Sequence, residues 1–266
     1  MKSLKHYFLT CVALLSIISC GSQTTREDTV GLIPVGQNGK VGYMDKTGKI
    51  VINPQFDRAH YFSEGLALVQ MGERFGYIDK EGKYAINPQF EGATAFSEGL
   101  AIIFSIDNGL GYIDKTGKIV ITPQFKIFGG REGIGEWLHS FSEGLAAVIV
   151  GDKWGYIDKE GRIAINPQFD MAYPFSDGLG LVSINRKWGF VDKSGKFIVN
   201  PQFEKAWPFT DGLAAVKVGD KWGYIDTSGK MIINPQFESV TPFSEEGIAG
   251  MKVRDKWGGI DKTGKV

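Results

Sequence analysis

Beyond residue 30, apolar and β-branched residues come in short runs broken by polar, glycine-bearing pairs. Segments 212–218 (GLAAVKV) and 221–226 (KWGYID) are two such runs joined at Gly219-Asp220, the signature of a tight β-hairpin. A second hairpin follows in each copy of the pattern. In 114–118 (DKTGK), Asp114 opens a type I turn by accepting from backbone amides, and Gly117 takes the left-handed position of a G1 bulge. The third run, as in 118–121 (KIVI), is stopped by Pro123, which has no amide to donate to a ladder. These elements predict a three-stranded β-meander. About ten residues link it to the next, with Phe62, Phe96, Phe141, Phe175, Phe209 and Phe243 as core anchors.

The meander recurs along the chain. A dipeptide ending in glycine stands at Val41-Gly42, Phe75-Gly76, Leu110-Gly111, Trp154-Gly155, Trp188-Gly189, Trp222-Gly223 and Trp257-Gly258. The glycines are spaced by 34, 35, 44, 34, 34 and 35 residues; each of the first six is followed by YIDK-like, TGK-like, INPQF-like and FSEG-like segments, and Gly258 by the first two. A unit of this size cannot bury its apolar face alone, so neighbouring copies must stack. The fold class expected is all-β: six full units and a partial seventh over 31–266, stacked as an open twisted array. A closed propeller-like ring is the alternative. It would need a strand from the polar stretch before residue 31, which has no strand pattern. The repeated Trp-Gly, YIDK and PQF segments resemble the WG (KWG) repeat family over about 31–266. The family brings no single activity to transfer. Val41, Phe75 and Leu110 keep the column apolar but lose the indole donor.

Composition agrees with many turns: 36 glycines occur without a collagen period. Thirty Lys and Arg balance thirty Asp and Glu, so the field that draws proteins to nucleic acid or to anionic lipid is absent. The first residues are different. Lys2, Lys5 and His6 precede an apolar stretch over about 7–18, too short to span a bilayer, and this is signal-peptide architecture. Ile17-Ile18-Ser19-Cys20 resembles the lipobox of bacterial lipoproteins. That resemblance implies a signal peptide over 1–19, acylation of Cys20, and a tether over 20–30. The expected location is an exported protein held by lipid on a bacterial membrane, the outer one being favoured. Removal of Cys11 with the signal would leave Cys20 as the sole cysteine and no intrachain disulfide.

Chemistry-bearing positions divide into repeated and unrepeated ones. Asp45, Asp79, Asp114, Asp158, Asp192, Asp226 and Asp261 could suggest calcium, but each stands in a separate unit and is followed by Lys or Thr. A turn role explains them, and the acids of the FSEG segments, better. The repeated tryptophans could form a glycan-binding strip; mid-strand and beside glycine, they read as core. One column varies while its neighbours repeat: His60, Thr94, His139, Tyr173, Trp207 and Thr241, two residues before each anchoring Phe. Ring-bearing variation at a fixed loop position fits a row of ligand contacts. The 44-residue spacing comes from an insertion at 126–140, where Arg131, Trp137 and His139 could touch a partner.

Catalytic machinery is not apparent. Only His60 and His139 lie outside the signal, without nucleophile–base or metal-ligand spacing, so no catalytic residue, metal or cofactor is expected. The expectation is a non-catalytic binding or scaffold lipoprotein presenting a repeat surface to an envelope protein or glycan. A structural spacer is the alternative, and a hydrolase built on the 126–140 insertion ranks below both.

Overall fold

The computed structural model describes residues 31–105, 107–127, 139–244 and 246–265, and every regular element among them is a β-strand. The strands form seven antiparallel sheets of three or four strands, one per unit. In the sixth unit Lys205–Ala206, Leu213–Val218, Lys221–Asp226 and Met231–Phe237 lie side by side in chain order. The last three are the meander read from the sequence. The first strand comes from the connecting segment, whose two residues carry no strand period of their own. It pairs because the FSEG segment reverses the chain within two residues. In the second unit Glu64 and Gly65 take φ of 51° and 89°, and Arg58–Ser63 folds back on Leu66–Met71 with Arg58 opposite Gln70.

Turn chemistry follows the residues. Asn185 and Arg186 both have positive φ, as do Arg254 and Asp255, which gives type I′ hairpins. In the DKTG turns Asp114 accepts the amides of Thr116 (2.9 Å) and Lys118 (3.1 Å) on one carboxylate oxygen. Gly117, at φ 84°, donates to the Asp114 carbonyl at 2.9 Å. The aspartate column is thus a turn column. The glycine of Trp-Gly has another cause. A Cβ on Gly42, Gly76, Gly111, Gly155, Gly189 or Gly223 would lie 2.3–2.6 Å from a carbonyl oxygen of the third strand. Only hydrogen fits between those two backbones.

Core clusters form between consecutive sheets. One joins Tyr77 and Ile86 of the second unit to Phe96, Ala101, Ile103 and Ile113 of the third. At each junction a third-strand Ile or Val sits against the DKTG-turn glycine of the next unit: Ile52 under Gly82, Ile86 under Gly117, and Ile233 under Gly264. Gly48 of the first unit has no such neighbour among the described residues. The strand pairs in extensive contact belong to one sheet or to consecutive sheets. The units therefore stack as an open array.

Candidate functional site

Most of the recurring side chains are engaged in holding units together. Tyr43, Tyr77, Tyr112, Tyr156 and Tyr224 donate their buried hydroxyls to the carbonyls of His60, Thr94, His139, Tyr173 and Thr241, each in the next unit, at 2.7–2.8 Å. Ser63, Ser97, Ser142 and Ser176 donate to the carbonyls of Phe96, Phe141, Phe175 and Phe209 at 2.7–2.8 Å. The FSEG acids reach forward as well: Glu64, Glu98 and Asp177 accept the amides of Gly99, Gly144 and Gly212 at 2.8–3.0 Å. Lys115, Lys159 and Lys193 complete the junctions, each 3.2 Å from a carboxylate of Glu64, Glu98 and Glu143 respectively.

This framework explains the varying column. At five of its six positions the fixed requirement is a backbone carbonyl placed to receive a tyrosine hydroxyl, which every residue type supplies; before Trp207 the tyrosine is replaced by Phe190. Side-chain identity is released from that bond. His60 is exposed beside Tyr61, which is 69% exposed. Burial of part of its ring, then the neighbouring Arg58 charge, lowers the His60 pKa. Tyr173 is half-buried and packs edge-on against Trp188 with ring centroids 5.6 Å apart. Trp207 is half-buried and, like Trp222, packs against the core cluster between the sixth and seventh units. Thr94 and Thr241 turn their hydroxyls inward, accepting the amides of Ile102 (3.2 Å) and Gly250 (2.8 Å).

His139 departs from the surface row expected of it. Its side chain is fully buried (0% exposed), stacked on Trp154 at 5.0 Å and 12°, with Nδ1 bonded to the Ala147 carbonyl at 2.8 Å. Nε2 has no hydrogen-bond partner among the described residues. Burial drives its pKa down to about 4, although the bond to Ala147 acts the other way. A neutral, enclosed imidazole is a packing element, so His139 is corrected from ligand contact to core. The sequence could not show this, because burial depends on Trp154, fifteen residues away.

Strand direction places the rest of the row. Each Trp-Gly begins the strand that leaves the first hairpin turn, and Trp222 pairs with Phe237 at the far end of the third strand. The insertion leaves the third unit after Phe125, the register partner of Leu110, at that same end of the sheet. Tyr173 with Trp188, Trp207 with Trp222 and the departure point of the insertion therefore occupy one rim. Arg131, Trp137 and Cys20 lie outside the described residues. Among the described residues no group of three or more His, Cys, Asp or Glu is arranged to hold a metal. Among the described residues there is no helix long and apolar enough to cross a membrane.

These features define an all-β repeat protein with blade-like sheets and an aromatic rim. Its repeats match the WG containing repeat at 42–74, 75–108, 111–129, 136–154, 154–188, 188–222 and 222–257, and the chain belongs to that family. No curated protein matches it. Among solved structures it is similar to a eukaryotic initiation factor at 13% identity and a TM-score of 0.59, covering 88% of this chain and 71% of that one. BamB from Moraxella catarrhalis matches at 12% identity and a TM-score of 0.48, over 89% of this chain and 81% of its own. Kluyveromyces lactis Hsv2p matches at 10% identity and 0.48, over 77% and 74%. At 13% identity the likeness to the initiation factor concerns fold alone, and it is to a β-propeller-like fold.

Proposed function

We propose that the protein is a non-catalytic binding or scaffold lipoprotein. It is held on the bacterial envelope through acylated Cys20 and presents its aromatic rim to an envelope protein or glycan. The observation that carries this reading is the division of labour among the repeats. Shared Asp, Glu, Ser and Tyr side chains are taken up by turns and unit junctions, whereas His60, Tyr173 and Trp207 differ between units on an otherwise constant frame. A frame that fixes backbone and frees side chains at regular intervals suits selective recognition. Half-buried aromatic rings with one accessible face suit sugar rings or apolar side chains of a partner.

Capture from envelope extracts and a glycan array, run with the wild type and with Tyr173→Ala and Trp207→Ala, tests the rim. Selective capture weakened in both variants is the expected result. Absence of any partner, or binding unchanged by both, refutes the rim and favours a spacer. Incorporation of labelled fatty acid should disappear in Cys20→Ala, and label that persists would refute the anchor.

A further inference from the structure

The two ends of the sheets differ in what they expose. In the first sheet Ile33, Met44 and Ile50 are register partners at one end, beside the turn that Asp45 opens, while Gln37 and Lys40 close the other. The same division runs along the array, because each third strand packs under the DKTG-turn glycine of the next unit, from Ile52 under Gly82 to Ile233 under Gly264. The DKTG turns therefore line one side and the aromatic rim the opposite one.

Third strands begin on the turn side with apolar residues in solvent. Ile50, Tyr84, Ile119, Ile163, Ile198 and Ile232, each the first or second residue of its strand, are 38–50% exposed. An exposed Lys or Arg precedes each of these strands, as Lys49 precedes Ile50 and Lys118 precedes Ile119. Single exposed aliphatics are ordinary on a protein surface, but a row repeated at one end of six consecutive sheets, each with a cation beside it, is a pattern. Its charge is nevertheless matched. Lys115, Lys159 and Lys193 stand against Glu64, Glu98 and Glu143, and each of these turns brings its own aspartate. A surface with aliphatic groups to bury, cationic stems beside them and no net field suits a lipid interface better than an acidic or basic partner.

The described chain also starts on that side. Gly31 lies against the first DKTG turn, where a Cβ on it would stand 3.0 Å from Lys46 Cγ. Eleven residue steps join Gly31 to Cys20, a span of at most about 40 Å. Resting on the reading of Cys20 as acylated, we propose that the turn side of the units nearest the anchor lies on the lipid surface. Its aliphatic row enters the headgroup layer, the adjoining Lys and Arg stems lie along it, and the rim points away from the bilayer. Lipid contact and partner capture then use opposite ends of the same sheets.

The full chain, as processed by the cell and purified from bacterial membranes, is reconstituted into phosphatidylcholine vesicles with and without phosphatidylglycerol. Mass spectrometry of its N-terminal peptide records acylation of Cys20. Val51→Cys on the turn side and Met71→Cys beside the rim turn each carry an environment-sensitive fluorophore, and headgroup spin-labelled lipid is the quencher. Blue-shifted emission with quenching at 51 and neither at 71, alike in both lipid mixtures and in high salt, is the expected result. Changing Ile119 and Val120 to aspartate should cut the quenching at 51 by about half or more while acylation is unchanged. Acylated protein quenched at neither position, at both equally, or at 71 alone overturns this placement and leaves the anchor standing. Quenching at 51 that requires phosphatidylglycerol and disappears in salt overturns the apolar contact. A blue shift at 51 without lipid quenching assigns the row to a second copy or another protein and overturns the proposal as well. Absence of an acyl chain on Cys20 overturns the anchor and the placement together.

Discussion

Acidification should destabilise this protein through one buried imidazole. His139 is enclosed against Trp154, and its pKa falls from the ordinary 6.5 to about 4. In the unfolded chain the same ring titrates near its ordinary value. Between those two pH values the unfolded state binds a proton that the folded state refuses, so stability rises with pH across the window. The penalty is absent above pH 6.5, grows as pH falls, and is complete near pH 4. At about 1.4 kcal/mol per tenfold change in proton affinity, the fall from 6.5 to about 4 is worth about 3.5 kcal/mol, a large share of a typical folding free energy. Asp114 acts lower on the scale. A hydrogen bond from Thr116 holds Asp114 below the usual carboxylate range, so its contribution is present above the unfolded value and lost only as pH falls through the lowered one. Urea unfolding at pH 7.5 and pH 4.5, followed by tryptophan fluorescence, measures the difference. His60 is shifted in the same sense, so the decisive comparison is with His139→Gln, which keeps a donor for the Ala147 carbonyl but cannot ionise. Wild type should lose much more stability on acidification than the variant. Equal losses would refute the assignment of His139 as a buried neutral group.

Other outcomes follow from the junctions. Tyr156→Phe leaves the Tyr173 carbonyl without its 2.7 Å donor and should cost about 1–2 kcal/mol in denaturant unfolding; Phe190 at the same column shows that the site accommodates the ring. Gly155→Ala places a carbon 2.6 Å from the Ile165 carbonyl oxygen and should cost at least about 2 kcal/mol. Gly258→Ala, facing only a flexible methionine, should cost well under half of that by the same assay. Asp114→Ala removes the acceptor of the Thr116 and Lys118 amides and should lower stability by about 1 kcal/mol, with far-UV circular dichroism unchanged.

The parts of the fold that were legible in sequence are those decided locally. Asp114 bonds residues two and four positions on, so a DKTG segment announces its turn. Glu64 was only half legible: its positive φ belongs to the FSEG turn, but its carboxylate serves Gly99, 35 residues away. Tyr77 gave no sign of its role because its acceptor is the Thr94 carbonyl, which leaves no trace in residue type. That invisibility hides the structural role of the varying column's backbone behind its changing side chains. The short first strand was missed for a similar reason. Lys205–Ala206 acquires its identity from Leu213–Val218, with Lys205 opposite Lys217, and two residues carry no period of their own.

The junction bonds are indifferent to how much chain lies between the residues they join. Ser63 reaches the Phe96 carbonyl across 33 positions and Ser97 reaches that of Phe141 across 44, yet both bonds measure 2.8 Å. Loop length and unit docking are therefore separate variables in this architecture. Genetic variation can lengthen the passage between two units without renegotiating the fit of their neighbours. The end of the third strand is a natural graft point: a foreign epitope, tag or enzyme inserted there would be carried by the array rather than built into it.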